Sequence, residues 1–249
     1  MSQSPIPRVL STMRTHGVEA LLMGGQACVL YGAVEFSRDA DFAILASPEN
    51  LHRLQGALDE LEAEVIAVPP FERQYLERGH AVHFRCHHPQ AHGVRVDVMS
   101  RLRGVEPFPA LWARRTTWDL PDGIQIDSLS LPDLVASKKT QRDRDWPMVR
   151  RLVEASYDQG FASPTPEQID FWLRELRTPE LLVESASRFS DQARRFASVR
   201  AAVRAALAND EAGIVESLAE EEAGERKLDR AYWSPLKAEL ESLRRALRS

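Results

Sequence analysis

Lysine is scarce in this chain: only Lys138, Lys139, Lys227 and Lys237 occur, and every other basic residue is arginine. The 32 basic side chains are outnumbered by 37 acidic ones, giving a net charge of -5. That balance disfavours sequence-blind binding of long nucleic acid over the whole surface and leaves room only for a local basic cleft. Cysteine is scarcer still. Cys28 and Cys86 are the only two, which excludes a disulfide framework and suits a reducing compartment. No apolar run approaches the roughly 20 residues that span a bilayer, so no transmembrane helix and no membrane partner are expected. The opening MSQSPIPRVL lacks a basic segment followed by a long apolar one, which argues against a secretory leader and for a cytoplasmic protein. Internal repeats and low-complexity tracts are absent. The acidic run Glu220, Glu221, Glu222 reads as a solvated helix face.

What is present is an ordinary globular composition, 43% hydrophobic and 28% charged over 249 residues, long enough for two packed units. Residues 6 to 16 suit a helix. The short apolar stretch Ala20, Leu21, Leu22, Met23, bounded by glycines, suits a buried strand. Helix-compatible residues return from Gln26 to Tyr31, and Phe42 to Leu45 read as a second strand just beyond two aspartates. Ser47-Pro48 starts a helix through Leu51, Leu54, Leu58 and Leu61. Val65 to Val68 is a further strand candidate, and residues 81 to 86 and 93 to 99 read as neighbouring antiparallel strands joined by a His-rich connection. After Ile124 and Ile126, Leu129 to Leu152 reads as helical, and from Thr165 onward Ala, Leu, Glu and Arg dominate without strand alternation. The expected fold class is therefore α+β: a mixed sheet flanked by helices over residues 1–130, followed by a helical unit over 131–249. The boundary is placed before Ser130-Leu131-Pro132-Asp133.

Two carboxylates stand out. Asp39 and Asp41 are two apart at the mouth of a strand, and a period of two puts them on one face. Such a pair suits Mg²⁺, a hard ion that takes carboxylate and phosphate oxygens and keeps some water. Asp97, between Val96 and Val98, points away from their apolar face and is the candidate for a third ligand. Gly24-Gly25, between a buried strand and a helix, lets backbone amides approach phosphate oxygens closely, with the helix N-terminus adding favourable partial charge. A Gly-Gly pair alone is usually only a tight turn, and an Asp-x-Asp alone is commonly a solvated loop. The order is what carries weight: apolar strand, Gly-Gly, short helix, Asp-x-Asp, then a later strand bearing one more aspartate.

With those residues in place, the stretch Leu22-Met23-Gly24-Gly25-Gln26-Ala27, followed by Gly32 and Arg38-Asp39-Ala40-Asp41-Phe42, resembles the signature of the polymerase β-like nucleotidyltransferase superfamily. It looks most like the bacterial branch that includes the AbiEii-type toxins and relatives of antibiotic nucleotidyltransferases. The resemblance covers about the first 100 residues, with a weaker echo in Leu131 to Arg151. It implies a nucleotidyltransferase fold, Mg²⁺ (or Mn²⁺) held by Asp39, Asp41 and Asp97, and transfer of a nucleoside monophosphate from an NTP such as ATP to an acceptor hydroxyl. Asp97 would bind the catalytic metal and act as base. Two departures are visible: Gly25 stands where many active members carry serine, with the Gln26 amide a substitute for that hydroxyl, and Ala40 replaces a larger apolar residue. Neither removes a metal ligand.

Other candidates are weaker. Lys138, Lys139 and Arg142 are expected within one helical turn, with Lys138 and Arg142 on one face and able to reach a triphosphate; an exposed helix flank is the equal alternative. Asp143 and Asp145 are read as their partners or as a cap. Arg38 suits a phosphate contact or, more commonly, a salt bridge. His83, Cys86, His87, His88 and His92 have the residue types of a zinc site without its spacing. Trp112, Trp118, Trp146, Trp172 and Trp233 read as packing. The acceptor, whether small molecule, protein side chain or RNA end, is not legible. A catalytically silent nucleotide-binding protein, regulatory or part of a toxin-antitoxin pair with a protein partner, is the competing reading, and a purely structural α/β part is the third.

Overall fold

Helix α1 (Ile6–Thr15) buries Ile6, Val9, Leu10 and Met13, which recur at helical spacing, and α3 (Pro48–Glu60) does the same with Leu54, Ala57 and Leu58. Both stripes enter one apolar core with Leu22, Phe42, Ile44, Val82, Phe84, Val96 and Val98. Burying each large aliphatic side chain contributes about 1.5–3 kcal/mol. The Ser47 hydroxyl caps α3 by accepting from the Asn50 amide at 3.2 Å. The computed structural model describes residues 5–34, 36–120 and 123–248; the first four residues of the opening segment lie outside them.

Between and after these helices run β1 (Ala20–Met23), α2 (Gly24–Leu30), β2 (Asp39–Ile44), β3 (Ala63–Val65), α4 (Arg73–Arg78), β4 (Val82–Cys86), β5 (Arg95–Met99), α5 (Phe108–Ala113), β6 (Thr116–Asp119), β7 (Gln125–Ser128) and α6 (Leu131–Ser137). The strands form one seven-stranded mixed sheet in the order β3-β4-β5-β2-β1-β7-β6. Strand β2 pairs antiparallel with β1 and parallel with β5, and β4 and β5 are the expected antiparallel neighbours. The strand expected over 65–68 instead ends early. Ile66 still donates to the His83 carbonyl at 2.9 Å, and Pro69-Pro70 then supply no N–H to continue the ladder.

The helical remainder comprises α7 (Asp145–Gly160), α8 (Pro166–Glu175), α9 (Pro179–Arg188), α10 (Ser190–Phe196), α11 (Ala201–Leu207) and α12 (Glu211–Ala246). Thr165 and Gln168 close a capping box at the start of α8. The expected boundary at residue 130 requires correction. Described residues of 1–30, 34–137 and 231–249 form one compact unit, and those of 31–33 and 138–230 the other. Helix α6 stays with the sheet because Arg114 forks onto the buried Asp133 carboxylate, Nε to Oδ2 at 2.7 Å and Nη2 to Oδ1 at 2.9 Å. The end of α12 rejoins the first unit through Glu239, which accepts from Arg78 and lies 2.8 Å from Nε2 of the wholly buried His80.

In the second unit, Trp172 is fully buried and meets Tyr157 edge-on at 5.0 Å. Arg200 is also buried, and its guanidinium donates to both Glu221 oxygens and to the carbonyls of Leu173 and Leu176. Replacing it leaves a carboxylate and two carbonyls without those donors. Arg200→Leu is expected to lower the stability of this unit by about 3–5 kcal/mol in urea denaturation. An unchanged midpoint would show that the network contributes nothing.

Candidate active site

Alternation along β2 and β5 divides the sheet into a core face and a polar face. Ala40 and Phe42 are buried, whereas Asp39 is exposed and Asp41 half-buried, as expected from a period of two. Val96 and Val98 are likewise buried around Asp97. The parallel register sets Asp41 beside Asp97 and Asp39 beside Arg95, so all four side chains share the polar face. The register of β4 adds His83 beside Asp97 and Arg85 beside Arg95.

The Gly24-Gly25 turn is packed onto this face. Gly24 has a φ of +64°, a left-handed conformation that favours glycine, and Met23 before it is register partner to Asp41. A Cβ at Gly24 would lie 2.7 Å from Asp41 Cβ and nearer still to its carboxylate. A Cβ at Gly25 would lie 2.9 Å from Ser37 Cβ and nearer to its hydroxyl. Both glycines are therefore required by close approach of the Ser37–Asp41 segment. Gln26 strengthens the same junction, its Nε2 donating to the Ser37 carbonyl at 2.8 Å. That bond commits the Gln26 amide to the loop, away from the phosphate role expected of it. Arg38 is exposed, with its guanidinium 5.8 Å from the centre of the Phe36 ring.

Asp97 is held from two sides. Arg95 Nε donates to its Oδ1 at 2.8 Å, and His83 Nδ1 lies 2.8 Å from the same oxygen. Burial alone would push the Asp97 carboxyl up, but the hydrogen bonds from His83 and Arg95 outweigh it and hold the group below its ordinary value of 3.8. The Arg95 guanidinium is held protonated chiefly by its bond to Asp97, with Asp39 and Asp41 adding to the field. Because the folded carboxyl is depressed, ionised Asp97 stabilises the fold above its unfolded value and loses that contribution as pH falls through the folded one. Asp97→Asn is expected to cost about 1–2 kcal/mol near pH 7. The gap to wild type in thermal unfolding should narrow progressively as pH falls below the ordinary carboxylate value, and a gap undiminished in acid would rule out this coupling.

Among the described residues, no group of three or more His, Cys, Asp or Glu side chains is arranged to hold a metal ion. The expected triad thus shares a face without converging, because Asp97 is engaged by Arg95 and His83. Mg²⁺ commonly takes only one or two carboxylates, completing its shell with phosphate oxygens and water. Asp39 and Asp41 are two carboxylates on one face beside the Gly24-Gly25 turn, a donor set of that smaller size.

The histidine-rich segment does not gather its zinc-type side chains on one face. Cys86 lies wholly buried on the core face, its thiol pushed up by burial to about 11, while His83 points to the opposite face. The expected helix through Lys138, Lys139 and Arg142 is broken: the three fall in the connection between α6 and α7. Thr140 organises that connection, its hydroxyl bonded to Asp145 at 2.5 Å and its carbonyl accepting from the Trp146 indole. In the second unit Lys139 pairs with Glu175 at 2.6 Å, while Arg142 and Lys138 pair with Asp145 at 2.8 and 3.9 Å. Asp145 is thus a partner of these bases, as anticipated, and not a side-chain cap.

Arg95 and Ser37 were missed from the sequence. The Arg95-Val96-Asp97 alternation contained the signal for the first, whereas Ser37 is recognisable only from the fold. No helix among the described residues is long and apolar enough to cross a membrane. In comparisons with known proteins, no family model and no curated relative matches this chain.

Proposed function

We propose that this chain is a Mg²⁺-dependent nucleotidyltransferase that moves a nucleoside monophosphate from an NTP to an acceptor hydroxyl. The observation that carries the reading is the Gly24-Gly25 turn closed onto Asp41 with no space for a Cβ, on the sheet face shared by Asp39, Asp41 and Asp97. The amides of the turn offer donors to phosphate oxygens, and Asp39 and Asp41 would hold the ion. When bound, Mg²⁺ lowers the pKa of the attacking hydroxyl and neutralises the pyrophosphate leaving group. Asp97, kept ionised at neutral pH, accepts a hydrogen bond from the acceptor hydroxyl, and Arg95 and His83 fix its orientation. The two cysteines, both buried and not joined in a disulfide, accord with action in the cytoplasm.

The decisive assay supplies α-labelled NTP with Mg²⁺ or Mn²⁺ and follows label onto a small-molecule, protein or RNA acceptor. Failure to bind Mg-NTP at about millimolar nucleotide in calorimetry would sink the proposal, since such a site is expected to bind its substrate in the micromolar to millimolar range. One observation favours a second reading, a nucleotide-binding regulatory protein without turnover: the Asp97 carboxylate is already engaged by Arg95 and His83. In that case nucleotide binds, no label moves, and a protein partner accounts for the biological effect.

A further inference from the structure

We propose that the helical unit carries a second, separate binding site: a cavity that takes a small organic anion, a carboxylate or phosphate group borne on an apolar body. The cavity has a volume of about 780 Å³, within the usual range for small-molecule sites, opens to solvent and is lined entirely by residues of the second unit. Its wall combines Trp146, Pro179 and Leu218 with the arginines 150, 151, 177 and 226.

Charge bookkeeping around Arg177 points to the ligand. Arg177 is nine-tenths buried and has one carboxylate partner, Glu221, at 3.2 Å. Glu221 is already claimed by the fork of Arg200, with Nε at 2.9 Å from one oxygen and Nη2 at 3.1 Å from the other. Two buried guanidinium groups therefore share one carboxylate, and Arg200, whose remaining bonds go to main-chain carbonyls, does not line the cavity. The uncompensated charge falls on Arg177, which does. Burial draws its pKa down, with the neighbouring Arg200 adding to that and Glu221 opposing it.

The other carboxylates of the wall are committed elsewhere. Glu222 and Asp143 accept from Arg226, and Glu154 accepts from Arg150 and Thr178. Arg151 is exposed at the rim without an ion pair among the described residues. Four arginines thus face three carboxylates, Asp143, Glu154 and Glu222, an excess of one positive charge. Arg177 bonds through Nη1 to Glu221 and through Nη2 to the Leu218 carbonyl, which uses two of the five N–H donors of a guanidinium. Its group lies 4.8 Å from the Trp146 ring centre, so the cation is held against an apolar surface where an anion gains more than in open water. The apolar parts of the wall set the second requirement, a hydrophobic body attached to the anion.

The test uses the full chain and three probes of similar shape: phenyl phosphate, phenylacetate and neutral 2-phenylethanol, with inorganic phosphate as a fourth. Calorimetry should show saturable binding of at least one aryl anion and at least about tenfold weaker binding of the neutral alcohol and of inorganic phosphate. The tighter of the two aryl anions identifies the head group. Val215→Glu, at an exposed position on the wall, places an internal carboxylate beside the excess charge and should weaken the anion at least about tenfold without loss of fold. Arg177→Gln should do the same. The proposal is overturned if neither aryl anion saturates by about 10 mM, which corresponds to a binding free energy under about 3 kcal/mol. Undiminished binding in Val215→Glu overturns it equally, as does inorganic phosphate binding as well as phenyl phosphate. Nucleotidyl transfer by the first unit has no part in these readouts.

Discussion

Asp41→Asn is expected to lower nucleotidyl transfer by about 10²–10³-fold, the loss typical of removing one electrostatic contact to the reacting groups. The substitution keeps shape and removes charge. Asp41 is half-buried at the junction where β1 ends, abreast of Met23 on one side and Asp97 on the other. Its carboxylate occupies the space that a Gly24 side chain would fill. Thermal unfolding of the variant should stay within about 1 kcal/mol of wild type, which separates a lost function from a lost fold. Transfer at the wild-type rate would remove Asp41 from the reaction and leave the polar face without its central residue.

Gly24→Ala should act on fold and function together. An alanine in the left-handed region costs about 1–2 kcal/mol, and here its Cβ would also collide with Asp41. Relieving the collision means moving either the Asp41 side chain or the end of β2, at a further cost of about 1–3 kcal/mol typical of overpacking. For a chain of this length the sum corresponds to a fall of about 5–15 °C in the unfolding midpoint. Mg-NTP binding should be lost even at temperatures where the variant remains folded, because the turn amides and Asp41 move as one assembly. A variant with normal stability would mean that the turn relaxes freely, and then the glycine is not required by the strand behind it.

These two positions were readable in the sequence because their signals are local. An apolar tetrapeptide ending in Gly-Gly announces a buried strand and a turn, and Asp39-Ala40-Asp41 displays period two directly. The stripes of α1 and α3 were legible for the same reason: burial on one face imposes a 3.6-residue period on the chain. Strand β6, Thr116–Asp119, was not anticipated. Its four residues are half-buried or exposed and carry little apolar signal, and it exists because β7 supplies a pairing edge. The break between α6 and α7 escaped notice because its cause is a cluster of side-chain bonds around Thr140, whose partners Asp145 and Trp146 are polar handles that composition alone cannot position.

Sequence by itself determined the α+β class, the core faces, the turn and the pairing of Asp39 with Asp41, since each follows from spacing within a few residues. Tertiary structure decided the rest. The parallel register of β2 with β5 brings Asp97 beside Asp41 and Arg95 beside Asp39, joining residues more than fifty positions apart. The β4 register adds His83 to Asp97, and Arg114 and Glu239 draw α6 and the end of α12 into the first unit. Arg200 takes the carboxylate that Arg177 would need. In each case the deciding contact joins separate elements of the fold, and such pairings leave no periodicity in the sequence because they depend on which elements fold against one another.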